Sequence, residues 1–162
     1  MKKKELIVSA IENGTVIDHI SPGRALDVIR ILHLENFEDS VAMAMNVPSK
    51  KIGRKDVVKI SNRALSESEV NEIALVAPMA TLSIIRNFEV VEKKQIDLPD
   101  VLHGIFPCIN PNCITRTEGT PKYVVENKKP VVLRCYYCER IINEEDLPPV
   151  LRSVNPLNKS FP

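Results

Sequence analysis

Cys108-Ile109-Asn110-Pro111-Asn112-Cys113 and, twenty-one residues later, Cys135-Tyr136-Tyr137-Cys138 contain all four cysteines of the 162-residue chain. Each pair is close enough to put two thiolates on one side of a tight backbone turn, and Asn-Pro-Asn supplies turn chemistry to the first. Two such turns brought together make a tetrahedral four-sulfur site, the usual home of structural zinc. Disulfides would need an oxidising compartment, and the opening Met1-Lys2-Lys3-Lys4-Glu5 has no apolar signal segment, which argues against secretion and for the cytoplasm. A thioredoxin-type redox pair would use Cys135 and Cys138 and leave the other two idle. The spacing therefore predicts one zinc ion per chain, held by Cys108, Cys113, Cys135 and Cys138. With four sulfur ligands no coordination position is left for water or substrate, so the metal is structural.

Working outward, the cysteines sit in a stretch of short β segments, Tyr123-Val124-Val125 and Val131-Val132-Leu133 among them. This unit is small enough that a metal commonly supplies the missing stability. Upstream the patterning changes. Leu6 to Ile11 reads as a strand, Asn13-Gly14 as a tight turn and Thr15 to Ile20 as a second strand. Ser21-Pro22 opens a helix with Ala25, Leu26, Ile29 and Leu32 as its buried stripe. Val41 to Val47 and Asp56 to Ile60 read as strands. Ser66 and Glu69 make a capping box before the helical run Val70, Ile73, Ala74, and Thr81 to Val91 is strand-rich again, bent near Arg86-Asn87.

Strand, helix, strand, strand, helix, strand is the ferredoxin-like pattern. The predicted fold is α+β: an N-terminal ferredoxin-like domain over 1–98, its antiparallel sheet carrying two helices on one face, and a small β-rich zinc-binding domain over 99–153. A tail over 154–162 has no periodicity.

Composition narrows the function. Lys and Arg number 22 against 21 acidic residues, whereas a general nucleic-acid binder carries a basic excess. No apolar run approaches membrane-spanning length. No catalytic site is legible either. Gly53-Arg54-Lys55 lacks the upstream glycine and following hydroxyl of a phosphate loop, no nucleophile elbow is present, and no two histidines stand at metal spacing. His103 reads as a linker residue, and His33 fits the end of a helix. Asp18, Lys59 and Lys93 each fall on a strand or strand end. A carboxylate with two ammonium groups beside strand edges suits a nucleotide; charged residues on an open sheet face are also commonly just solvated. A zinc-ribbon nucleic-acid-binding protein, with Lys128, Lys129, Arg134 and Arg140, and a nucleotide sensor for some other enzyme are the alternatives.

Gly14-Thr15-Val16-Ile17-Asp18-His19-Ile20, Asn46-Val47-Pro48-Ser49, Gly53-Arg54-Lys55-Asp56 with Lys59-Ile60, Ala77-Pro78 with Ala80-Thr81, and the four cysteines follow one another in order. Together they resemble the regulatory chain of aspartate carbamoyltransferase. The resemblance implies a chain with no active site of its own that forms regulatory dimers and ties catalytic trimers together in pyrimidine biosynthesis. It implies an effector domain binding ATP, CTP and UTP, and a zinc domain docking on the catalytic chain. Matched position by position, the nucleotide site comprises Val8, Ala10, Ile11, Val16, Asp18, Lys59, Ile85, Val90 and Lys93, with Lys93 on the phosphates. His19, Ser49 and Lys55 match positions for a second nucleotide. Asn110, Asn112, Tyr137 and Glu139, on or beside the cysteine turns, are the expected contacts to the catalytic chain. The chain departs from the pattern at Ser9, Ser83 and Phe88, where some relatives carry an acidic residue, asparagine and tyrosine; these positions bear on the ranking of the triphosphates.

Overall fold

Gly14–Ile20 forms strand β1 in the computed structural model, which describes residues 10–147. Thr15 and Ile17 are buried on one side, while Val16 and Asp18 stay partly exposed on the other. This is the alternation of a sheet with one covered face. β1 pairs antiparallel with β3 (Gly53–Ser61) and β4 (Thr81–Arg86). β2 (Val41–Ser49) lies on one edge and β5 (Glu89–Gln95) on the other, giving the order β2-β3-β1-β4-β5. α1 (Ala25–Ile31) connects β1 to β2, and α2 (Glu67–Val76) connects β3 to β4. The expected α+β class and ferredoxin-like topology are thus present, with one strand added after β4. The addition comes from the bend at Arg86-Asn87. Asn87 and Phe88 have φ of 51° and 65°, and two successive positive values close a tight hairpin whose twist matches its strands.

Two local expectations are corrected. Among the described residues no strand leads into Asn13-Gly14 as a hairpin tip, because Ala10 and Ile11 are irregular. The Glu12 carbonyl instead accepts the Phe88 N–H and the Asn13 carbonyl accepts that of Asn62. These backbone groups are taken by distant partners, which is why no local turn forms. The rest of that expected strand, residues 6–9, lies outside the described residues, as do the tail over 154–162 and the end of the domain preceding it. The second correction is the stripe of α1. Its buried apolar residues are Ala25, Val28 and Ile31, followed by Leu32, while Leu26 is 43% exposed. Both stripes satisfy helical spacing; the helix's rotation is decided by its hold on β3, where Asp56 accepts the Ala25 N–H.

By their internal contacts the residues form two compact units. Of the described residues, one takes 10–66 together with Met79–Ile96; the other takes Glu67–Pro78, which carries α2, and 97–147. The first has an aliphatic core built around Ile17, Ile20, Val28, Val58 and Ile60. Each such side chain contributes about 1.5–3 kcal/mol of burial. The second contains a four-stranded antiparallel sheet of β6 (Val101–His103), β7 (Lys122–Lys128), β8 (Val131–Cys135) and β9 (Ile141–Asn143). Here Phe106 stacks on Tyr123 at 4.5 Å between ring centres, and the Tyr123 hydroxyl donates to the Phe106 carbonyl at 2.9 Å. A buried phenol is thereby satisfied without water.

Candidate metal centre and effector face

The four cysteines meet at one point of the second unit. Cys135 ends β8, Cys138 lies in the turn toward β9, and Cys113 heads a single 3-10 turn over Ile114–Arg116. Each pair is closed by a backbone hydrogen bond, from Cys113 N–H to the Asn110 carbonyl at 3.0 Å and from Glu139 N–H to the Cys135 carbonyl at 2.9 Å. All four Sγ atoms lie within 4.8 Å of one another. Cys108 and Cys138 are 3.6 Å apart and Cys113 and Cys135 3.8 Å apart. Metal–sulfur bonds of about 2.3 Å in a tetrahedron require sulfur–sulfur edges of about 3.8 Å, so the donor set fits a divalent ion. A disulfide would need about 2.05 Å, and all four are free.

Burial, then the crowd of neighbouring sulfurs, pushes the Cys108 and Cys135 thiols up. At Cys138, burial is outweighed by the Arg140 N–H and the Asn110 side chain, which bring the thiol down to about 7. Four thiolates at this spacing need a cation among them. Around the sulfurs, the Thr115 hydroxyl lies 3.0 Å from Cys113 Sγ, and Arg116 donates to the Cys108 carbonyl at 2.7 Å. Sequence reasoning passed over Thr115 and Arg116, whose only signal was adjacency to Cys113.

The four residues expected to face a partner divide by role. Asn110 shapes the site itself, its Oδ1 accepting the Asn112 N–H at 3.0 Å. Asn112, Tyr137 and Glu139 are exposed, Glu139 in a left-handed conformation at φ 64°. The Tyr137 ring meets Tyr136 edge-on at 5.2 Å, and the Lys122 ammonium lies 4.1 Å from the centre of the Tyr136 ring. Tyr136, Ile114 and Ile141 are also about half exposed. His103 is exposed on β6 and is not among the clustered donors.

In the first unit, strand register assembles the expected nucleotide residues. Lys59 stands opposite Val16, Val16 opposite Ser83, and Ser83 opposite Lys93, one row across β3, β1, β4 and β5. Two positions along, Asp18 pairs with Thr81; two positions the other way, Gly14 pairs with Ile85, which pairs with Val90. Since alternate residues share a face, Val16, Asp18, Lys59, Ile85 and Lys93 lie on the same face, where Lys93 is exposed, Val16, Asp18 and Lys59 are partly exposed, and Ile85 and Ser83 are buried. Ala10 and Ile11 lead into Glu12, which is bonded to Phe88 at the head of β5. Val8 lies outside the described residues. Ser83, noted in the sequence only as a departure, occupies the middle of the row.

Asp18 and Lys55 form an ion pair at 2.9 Å, and Asp18 also accepts its neighbour His19's N–H at 2.6 Å. Burial raises the Asp18 carboxyl, but Lys55 and the His19 N–H together outweigh it and hold the carboxyl below its ordinary value. His19 is pushed down, first by burial and then by Lys55, Lys51 and Lys93, against the pull of Asp18. Its Nδ1 lies 3.0 Å from the Thr81 hydroxyl. Lys59 is likewise lowered by burial, against the pull of Asp18. Lys55 and His19, matched to a second nucleotide, are therefore in direct contact with Asp18 of the first set. Ser49 stands apart at the β2–β3 turn, its hydroxyl accepting the Ile52 N–H.

Residues 6–97 match the family described as aspartate carbamoyltransferase regulatory chain, allosteric domain, and residues 100–148 match the metal binding domain of the same regulatory chain. The chain belongs to that family. An aspartate carbamoyltransferase regulatory chain of Pyrococcus furiosus is 57% identical over 146 residues, covering 88% of this chain and 96% of the relative. That of Methanothermobacter thermautotrophicus is 50% identical over 150 residues, covering 91% and 96%; that of Thermococcus kodakarensis is 49% identical over 146 residues, covering 89% and 96%. As the motifs implied, this regulatory-chain relative pairs an allosteric domain with a metal-binding one, and neither description is catalytic. No helix among the described residues is long and apolar enough to cross a membrane.

Proposed function

We propose that this chain is the non-catalytic regulatory subunit of a cytoplasmic aspartate carbamoyltransferase, and that it binds ATP, CTP and UTP on the face of its first sheet that carries Asp18, Lys59 and Lys93. The observation that carries this reading is the row Lys59–Val16–Ser83–Lys93 with Asp18 on the same face. A carboxylate there can accept ribose hydroxyl protons, and ammonium groups at either end of the row can meet base and phosphates. Asp18 and Lys59 serve ribose and base, Lys93 the phosphates, and main-chain groups near Ala10, Ile11 and Val90 the base edge. His19, Ser49 and Lys55 serve a second nucleotide.

The functional domains are 1–98 for effector binding and 99–153 for docking. The four-cysteine site holds one structural zinc, which closes the coordination sphere and does no chemistry. Asn110, Asn112, Tyr137 and Glu139 face the catalytic chain, and a second copy of the regulatory chain completes a dimer. Nucleotide favours one quaternary state of the assembly. Such coupling is typically about 1–3 kcal/mol and is reciprocal, so ligands of the catalytic chain alter nucleotide affinity by the same factor. Calorimetric titration of ATP, CTP and UTP, with and without the catalytic chain, tests the reading. Binding that changes when the catalytic chain is saturated with ligand is the expected result; no heat with any of the three triphosphates would refute it.

A further inference from the structure

Both strands flanking β3 carry an extra residue near Asp56. Between Ile17, opposite Val58, and Ile20, opposite Asp56, β1 fits Asp18 and His19 against Val57 alone. Between Ala44, opposite Val57, and Val47, opposite Lys55, β2 fits Met45 and Asn46 against Asp56 alone. One residue of each bulge is left-handed, His19 at φ 57° and Asn46 at φ 56°. A side chain other than glycine holds that conformation only where its surroundings impose it. Bulges re-aim side chains, and the one in β1 presents Asp18 to Lys55.

Between the two bulges lies a single carboxylate with no exposure at all. Asp56 Oδ1 accepts the Asn46 N–H at 2.7 Å, from the β2 bulge. Its Oδ2 accepts the Gly23 and Ala25 N–H groups at 2.8 and 3.1 Å, from the segment that leaves the β1 bulge for α1. A buried carboxylate must take such donors; these three come from both sides of the strand that carries Lys55. We propose that Asp56 is the positioning residue of the Asp18–Lys55 pair, locking both bulges so that the pair stands in the geometry a nucleotide meets. The last clause rests on the nucleotide reading above.

Asp56→Asn is the test, because an amide offers one accepting oxygen and an NH2 group that cannot accept, so one side of the clamp must open. Val28→Ala, a cavity at a fully buried position of α1, controls for general loss of stability. Two readouts are taken on the zinc-loaded chain: the 13C titration of the Asp18 carboxyl, which Lys55, His19 and Lys59 face, and calorimetric affinity for ATP and CTP. Asp56→Asn should move the Asp18 titration upward and weaken both nucleotides about tenfold. Val28→Ala should move neither. If Asp56→Asn does not fold, Asn46→Ala takes its place, with Asn46→Gly as the conservative variant that accepts positive φ and keeps the native Asp18 titration.

A native Asp18 titration in Asp56→Asn, or in Asn46→Ala where that is the variant read, overturns the proposal, as does an equal displacement in Val28→Ala. A shifted titration with native affinity overturns its link to nucleotide binding. A wild-type chain that binds neither ATP nor CTP overturns the nucleotide reading instead, and the Asp18 titration still decides the role of Asp56.

Discussion

Replacing Gly14 by alanine should break the hold of β1 on β3. A Cβ at this position would stand 2.0 Å from the Ile60 carbonyl oxygen and 3.0 Å from the Asn62 nitrogen. Neither atom is the end of a flexible side chain: Ile60 pairs with Thr15 in the ladder, and Asn62 donates to the Asn13 carbonyl. Carbon–oxygen contacts in sheets close to about 3.3 Å, so the strands must part by about 1.3 Å, a gap that backbone hydrogen bonds do not span. The φ of Gly14, 143°, adds strain for any side chain. Two ladder bonds at about 1 kcal/mol each and overpacking at about 1–3 kcal/mol give a loss of about 3–5 kcal/mol. For a chain of this size that is a fall of roughly 10 °C in unfolding temperature. Because the chain forms two units, the assay is hydrogen exchange followed strand by strand, since one melting curve would average them. Protection should fall at the β1 and β3 amides and persist at β7 and β8. An unfolding temperature within about 2 °C of wild type, with β1 protection intact, would refute the reasoning.

Three other outcomes are expected. Chelation, or Cys138→Ser, should release the metal, remove hydrogen-exchange protection at β7 and β8 and abolish assembly with the catalytic chain, while nucleotide binding continues; retained assembly after metal loss is verified by elemental analysis would count against a structural ion. Lys93→Ala should weaken triphosphates at least about tenfold, since it removes a charge-assisted contact, and barely change the parent nucleosides. An equal loss for both in calorimetry would show that Lys93 does not meet the phosphates. Acid stability should depend on Asp18. Its folded carboxyl titrates below the ordinary 3.8 because Lys55 and the His19 N–H outweigh its burial, so its stabilising contribution is fully present above that ordinary value and is lost as pH falls through the folded one. Asp18→Asn should therefore flatten the acid limb of the stability curve below about pH 4, and superimposable acid limbs would contradict this.

The features legible in the sequence were those whose physics is local. Two short cysteine spacings determine where thiolates can point whatever surrounds them, and the structure brings all four sulfurs together. Alternation along Thr15–Ile20 and Asp56–Ile60, and helical spacing after Ser66, identified the element types and with them the ferredoxin-like order. The tertiary structure decided whatever depends on pairing across long stretches of chain. Spacing alone allowed two stripes for α1, and the hydrogen bonds of Asp56 selected one. The hairpin at Asn87-Phe88 turned one strand-rich stretch into two strands, placing Lys93 opposite Ser83. The backbone partners at Phe88 and Asn62 undid the expected turn at Asn13. Asp18 and Lys55 stand far apart in sequence and were assigned to different nucleotides. The pairing of β1 with β3 brings carboxylate and ammonium to 2.9 Å beside the irregular register of both strands, because inter-strand register is set by the whole sheet and not by either strand alone.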